Sequence, residues 1–199
     1  MEITTALIKE LREATSAGVL DCRKALQESS GDLEGAATIL REKGLAAVAK
    51  RAGRQASEGL IEAYVHPGSR VGVLLELNCE TDFVARTDEF QSLAHELALH
   101  IAFASPRYLT RDEIPEEEIE QEKHVYRAQA LEEGKPESIL DRIIDGRLGK
   151  FYTQVCLMEQ PFVKDEDRSI EDLINDAIAK LGENIVLRRF AHFERGEGA

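Results

Sequence analysis

Two apolar runs flank Pro67-Gly68-Ser69, one over residues 59–66 with Leu60, Ile61, Tyr64 and Val65, the other over residues 71–78. Proline presets the φ of a turn and glycine accepts a positive one, so this pattern predicts a β-hairpin. The second run is richly apolar, which predicts a well-buried strand. Helical periodicity occupies the chain on both sides of the hairpin, and that combination points to an α+β fold.

Before the hairpin, apolar residues recur at helical spacing in three short stripes. Ile3, Leu7, Ile8 and Leu11 form the first, and Thr15-Ser16-Ala17-Gly18 interrupts it. Val19, Cys22 and Leu26 form the second, ending at Ser29-Ser30-Gly31. Asp32 is the expected N-cap of a third helix lined by Leu33, Ala36, Ala37 and Leu40, with Gly44 placed to close it. Residues 1–45 thus predict a minimal three-helix head, near the lower size limit for independent stability. Residues 46–58, with Lys50, Arg51 and Arg54 among alanines, predict a basic linker that is helical in part and presents a solvated face.

The core is expected over residues 59–199. Phe90, Leu93, Ala94, Leu97 and Ile101 predict a long amphipathic helix capped by Thr87 and ended by Pro106. Residues 110–149 are acidic and helical in pattern. Thr110 with Glu113 has capping-box spacing, Ile119, Lys123, Tyr126 and Ala130 share one face, and Gly134-Lys135-Pro136 divides that helix from one bearing Ile139, Ile143 and Ile144. Residues 155–158 read as a short strand or an extended connection. A further helix over residues 170–181 starts at Ser169 and Asp172 and stops at Gly182. Residues 185–193 return to strand character, and the tail 196–199 is expected to fray. The sum is a helical head followed by a three-stranded antiparallel sheet covered by helices.

The formal net charge of −13 opposes broad attraction to phosphates, which argues against direct nucleic-acid binding and suits docking onto a protein carrying local positive charge. Cys22, Cys79 and Cys156 are odd in number and form no CxxC pair, so neither a disulfide framework nor a zinc site is indicated. Glu2, Lys9 and Glu10 interrupt the N-terminal apolar residues, unlike a signal peptide, and no stretch approaches the ~18 apolar residues of a spanning helix. A reducing cytoplasm and no membrane association are the expectation. Among His66, His95, His100, His124 and His192, the pair His95 and His100 is five apart and does not share a helical face as a metal pair would. Cys79 could serve a thiol-based site or be a small buried strand residue. No glycine-rich phosphate loop or paired catalytic motif appears, so no catalytic residue, metal or cofactor is predicted.

Two segments carry a family resemblance. Leu11-Arg12-Glu13-Ala14-Thr15-Ser16-Ala17-Gly18-Val19-Leu20-Asp21-Cys22-Arg23-Lys24-Ala25-Leu26 resembles the first signature of the elongation factor Ts family, and Glu76-Leu77-Asn78-Cys79-Glu80-Thr81-Asp82-Phe83-Val84-Ala85-Arg86 resembles its second. Their order and separation fit the family's short form. The resemblance implies a UBA-like three-helix head, an α+β core, and a guanine-nucleotide exchange factor that binds elongation factor Tu in its GDP-bound and nucleotide-free states. It implies that Thr81, Asp82, Phe83 and Val84 enter the GTPase near its magnesium site, where the aromatic ring acts as a wedge. It also implies that Arg12, Val19, Leu20 and Arg23 make a head contact. Val19-Leu20 replaces a Met-Met pair common in the family, keeping the apolar character without methionine's adaptability. A single core module further implies a homodimer. Without the family, Phe83 reads as a core residue under the following helix and Asp82 as a local cap. The rival reading of the first 45 residues alone is a helix- or ubiquitin-fold-binding adaptor without exchange activity.

Overall fold

The computed structural model describes residues 3–15 and 17–197. Expectations that touch residues 1, 2, 16, 198 and 199 lie outside the described residues. These are part of the Thr15-Ser16-Ala17-Gly18 break, part of the N-terminal segment and the end of the tail. The fold is α+β, with an N-terminal helical bundle and a three-stranded antiparallel sheet covered by helices. The chain divides into two compact units, one of Met1–Leu60, Leu77–Leu93 and Ile174–Arg188, the other of Ile61–Glu76, Ala94–Leu173 and Arg189–Ala199.

The first unit begins with helices α1 (Thr5–Thr15), α2 (Val19–Glu28) and α3 (Leu33–Arg51). Leu11, Cys22, Ala25, Leu26 and Ala36 are buried where they meet, with Leu7, Ile8 and Leu40 packed around them. The Asp32 carboxylate accepts from the Gly35 N–H at 3.0 Å and starts α3 as expected. Two expectations are corrected. Val19 is not in the core stripe but 52% exposed at the first turn of α2. Gly44 does not close α3, which continues to Arg51. Ala46, Ala47 and Ala49 favour helix strongly enough to carry it past one glycine. A Cβ added at Gly44 would lie 3.7 Å from Ala179, so the residue sits at a packed surface and not at a helix stop.

Strands β1 (Glu58–Val65) and β2 (Val71–Cys79) form the predicted hairpin. His66 N–H donates to Val71 O and Ser69 N–H to His66 O, both at 2.9 Å, and Gly68 takes φ 96°. In β2, Val73, Leu75, Leu77 and Cys79 are buried while Leu74 between them is exposed, the period-two pattern of a sheet covered on one face. The sheet order is β1-β2-β5, with β5 spanning Val186–Glu194. Gly59 takes φ 144°, and a Cβ there would stand 2.2 Å from the Leu77 carbonyl oxygen, so only glycine fits this approach of β1 to β2. A short helix α4 (Asp82–Ala85) and the long α5 (Asp88–Ala104) follow β2. The Thr87 hydroxyl accepts from Phe90 N–H at 3.3 Å, and Phe90, Leu93, Ala94, Leu97 and Ile101 are buried, as the periodicity predicts.

In the second unit, α6 (Glu116–Glu132) and α7 (Leu140–Val155) are joined through Gly134 at φ 72°. Ile114, Ile144, Leu148, Phe151, Val155 and Cys156 form their buried cluster, with Ile119 and Tyr126 of α6 against it. The Thr110–Glu113 capping box is corrected. Those residues bound a single 3-10 turn, Glu113 accepts from Leu109 N–H at 2.7 Å, and α6 starts only after Pro115. The expected strand or extended connection at residues 155–158 is corrected: Val155 ends α7, Cys156 makes one parallel bridge to Tyr108, and Leu157–Glu159 form a 3-10 turn. Strands β3 (Pro161–Phe162) and β4 (Asp165–Ser169) pair antiparallel, a hairpin the sequence does not announce because β4 carries four charged residues in five. Helix α8 (Ile170–Leu181) begins with the expected box: Ser169 N–H donates to Asp172 Oδ2 and Asp172 N–H to Ser169 Oγ, both at 3.1 Å. It ends at Gly182, φ 78°.

Candidate functional site

Strand β2 ends at Cys79, whose buried thiol donates to Thr81 O at 3.1 Å and begins to bend the chain away from the sheet. Thr81 is the N-cap of α4, its hydroxyl accepting from Val84 N–H at 3.4 Å. The expectation that Asp82 is the local cap is therefore corrected. Asp82 is the first helical residue and pairs with Arg86 at 2.8 Å on the exposed side of the turn. A carboxylate in the first turn also suits the positive end of the helix. Ala85 is buried and anchors the turn, and Val84 is half-buried. Phe83 is 78% exposed, the most exposed of the large apolar side chains among the described residues. It is not the core residue that general statistics predict for phenylalanine; that place is taken by Phe90, fully buried seven positions later.

The turn is tied to the loop between α8 and β5. The Glu183 carboxylate accepts from Glu80 N–H at 3.1 Å, Thr81 N–H at 3.0 Å and the Thr81 hydroxyl at 2.6 Å. In return Glu80 Oε1 accepts from Asn184 N–H at 2.7 Å. The buried Asn184 amide donates to Arg54 O at 2.8 Å, and Arg54 faces Glu80 at 3.4 Å. One step earlier, Arg51 donates through Nε to Gly182 O at 2.8 Å. The basic segment is thus solvent-exposed at Lys50 and Arg54 and half-buried at Arg51. Arg51 ties the end of α3 to the α8–β5 loop, and Arg54 pairs through its side chain with Glu80 while its carbonyl accepts from Asn184. Glu183 and Asn184 were not singled out by sequence reasoning. The available signal was two hydrogen-bonding residues between the helix stop at Gly182 and an apolar strand.

The four head residues lie on α1 and α2. Arg12 and Arg23 are exposed, Val19 is 52% exposed and Leu20 is 70% exposed. Two adjacent apolar side chains in solvent beside an arginine offer an apolar contact with a charged margin. Val19, Leu20 and Arg23 lie together on α2, Arg12 lies on α1, and the Phe83 turn lies apart from them in sequence.

The titratable groups near the turn do not suit covalent chemistry. Burial, reinforced by the Glu183 carboxylate, pushes the Cys79 thiol up to about 11, so it stays protonated and weakly nucleophilic at neutral pH. Cys22 and Cys156 are also free and buried. His100, buried in the second unit, bonds to Gln160 Oε1 at 3.0 Å through Nε2 and accepts from Val163 N–H at 3.3 Å through Nδ1. Burial lowers its pKa, which keeps the ring neutral and structural. Among the described residues, no group of three or more His, Cys, Asp or Glu is arranged to hold a metal ion, and no helix is long and apolar enough to cross a membrane. What the turn offers is an aromatic ring and a carboxylate held out from a hydrogen-bonded base.

The model of the family described as Elongation factor TS matches residues 7–177. The elongation factor Ts of Caldanaerobacter subterraneus subsp. tengcongensis is 58% identical over 196 residues, covering 98% of each chain. That of Desulfitobacterium hafniense is 59% identical over 197 residues, covering 99% of this chain and 91% of its own length. That of Moorella thermoacetica is 58% identical over 196 residues, covering 98% of this chain and 97% of its own.

Proposed function

The chain belongs to the elongation factor Ts family, and from that premise we propose how its exposed turn drives exchange. The protein is a guanine-nucleotide exchange factor for elongation factor Tu in translation elongation, and it is not a catalytic enzyme. Thr81, Asp82, Phe83 and Val84 enter the GTPase beside its magnesium site, and the Phe83 ring wedges between side chains there. Magnesium is held by the phosphate oxygens of the nucleotide, so displacing the ion weakens GDP retention. No bond in the nucleotide is broken. A factor that prefers the magnesium-free or nucleotide-free GTPase shifts the population toward release, and incoming nucleotide displaces the factor in turn.

The observation that carries this reading is the 78% exposure of Phe83 on a turn whose neighbours Cys79 and Ala85 are buried. A ring in solvent lacks the core contacts that would otherwise explain it, and leaves water favourably when it enters a partner. Arg12, Val19, Leu20 and Arg23 of a UBA-like head over residues 1–45 supply a second contact on the same GTPase. Residues 46–58 link that head to a core over residues 59–199, and the compartment is the cytoplasm.

The same core forms a homodimer. Ile61 and Val65 of β1 and Leu74 of β2, at 61%, 64% and 47% exposure, support this as apolar surface on strands. Light scattering under reducing conditions is expected at about twice the 22.2 kDa chain mass. A strictly monomeric species with full exchange activity rejects the dimer. For the main proposal the test is stopped-flow release of fluorescent GDP from elongation factor Tu. Substoichiometric protein should accelerate release and hydrolyse no GTP; unchanged release at saturating protein rejects it.

A further inference from the structure

We propose that Glu183 is a positioning residue for nucleotide exchange, its carboxylate setting the direction in which the β2–α4 turn presents Phe83. The proposal rests on the reading above, that this turn acts on the GTPase.

An exposed ring receives little guidance from packing. Phe83 has most of its surface in solvent, so its direction comes from the backbone of residues 80–84. That backbone leaves the sheet at Cys79, and its polar groups find acceptors 102 and 103 residues further along the chain. Glu183 takes three of them: two consecutive N–H groups and one hydroxyl. Bonds to an ionised acceptor are roughly twice as strong as neutral ones, and two adjacent N–H groups on one oxygen orient the peptide plane as well as restraining it.

The Thr81 hydroxyl shows why the residue type matters. A hydroxyl has one proton and two lone pairs. Its proton goes to Glu183 at 2.6 Å, so a lone pair is left facing Val84 N–H, the capping bond of α4. Glu183 thus selects the rotamer that starts the helix carrying Phe83. The return bonds from Asn184 N–H to Glu80, and from the Asn184 amide to Arg54 O, hold the same loop from its other side. The bonds of Glu183 go to Glu80 and Thr81, so it acts on Phe83 through the turn.

The test uses full-length Glu183→Ala, Glu183→Gln, Phe83→Ala and the double variant Glu183→Ala/Phe83→Ala. GDP release from elongation factor Tu is measured across a range of factor concentrations. Glu183→Ala is expected to lower the maximal release rate roughly tenfold, as misplacement of a working group does. The half-saturating concentration should move by less than about twofold, because the head contact is untouched. Glu183→Gln, which keeps one carbonyl acceptor, should fall between it and the parent. The double variant should match Phe83→Ala alone, since no direction remains to be set. Amide hydrogen exchange at Glu80 and Thr81 should quicken in Glu183→Ala.

A folded Glu183→Ala with the parent's maximal rate, beside a slow Phe83→Ala, overturns the positioning role and leaves the wedge standing. Losses that multiply in the double variant also overturn it. A Phe83→Ala variant with the parent's rate overturns the underlying reading itself, and the positioning role with it. Should Glu183→Ala not fold, Glu183→Gln carries the same comparisons.

Discussion

Glu183 holds Thr81 by both its N–H and its hydroxyl, at 3.0 and 2.6 Å, across 102 residues of chain. Two positions after that grip stands Phe83, in solvent and without a core to rest on. On the proposed function the pairing would separate two jobs that one residue usually combines: the ring makes contact, and a distant carboxylate aims it.

Phe83→Ala and Phe90→Ala should therefore behave oppositely. Truncating a buried phenylalanine costs ~3–5 kcal/mol, and Phe90 is fully buried on α5. Its variant should melt early. Phe83→Ala should melt close to the parent, within about 1 kcal/mol, and release GDP severely more slowly. Thermal melts and release rates on the same samples decide it. An early melt with normal release for Phe83→Ala would return the ring to the core.

Cys79 predicts a pH dependence. Its folded pKa is about 11 against 9.0 for an ordinary thiol, from burial first and the Glu183 carboxylate second. The fold thus favours the neutral thiol. That stabilisation is complete below pH 9.0 and declines as pH rises toward the folded value. Thiolate ultraviolet absorbance should show Cys79 titrating late, and earlier in Glu183→Gln. Alkylation of the native protein near neutral pH should be slow.

Gly59→Ala tests the closest backbone approach in the sheet. The new Cβ would meet the Leu77 carbonyl oxygen at 2.2 Å and the Asn78 Cα at 2.7 Å with φ at 144°, and both atoms are backbone. A loss of at least ~2 kcal/mol is expected in chemical denaturation. Gly53→Ala, with no atom within 4 Å of its added Cβ, is the control and should be near neutral.

Leu20→Glu addresses the other exposed surface. With 70% of Leu20 in solvent, the substitution should leave the melting temperature almost unchanged. It should raise the half-saturating concentration for GDP release by roughly tenfold, the effect of placing a charge in an apolar contact, and leave the maximal rate alone. A lowered maximal rate with unchanged half-saturation would place Leu20 outside the contact.

Much of the fold was legible because local signals agreed with one another. Asp32, Thr87, the Ser169–Asp172 box and Gly182 mark helix ends in sequence and do so in the structure. The failures have physical causes. At Gly44 a run of alanines outweighed a single glycine. At β4 pairing with β3 outweighed a charged composition that no strand pattern describes. Phe83 was legible as an exposed residue only through the family signature, since its own chemistry argues for burial. Glu183 was legible only as a polar residue between the Gly182 stop and an apolar strand, because hydrogen bonds across a hundred residues leave no mark in local spacing.

The passage of α3 through Gly44 changes what the N-terminal bundle is to the rest of its unit. Nineteen helical residues make a strut of about 28 Å, and its far end is bolted by Arg51 to Gly182 and by Arg54 to Glu80. A loose thread of the dozen residues that follow the bundle would let its end wander over about 20 Å, and two contacts so joined meet one partner at millimolar effective concentration. A strut removes the wandering. Under the proposed contacts, a GTPase gripped at Leu20 would find Phe83 already at a set distance and bearing, and the factor would measure the span between two surfaces of its partner as a gauge does.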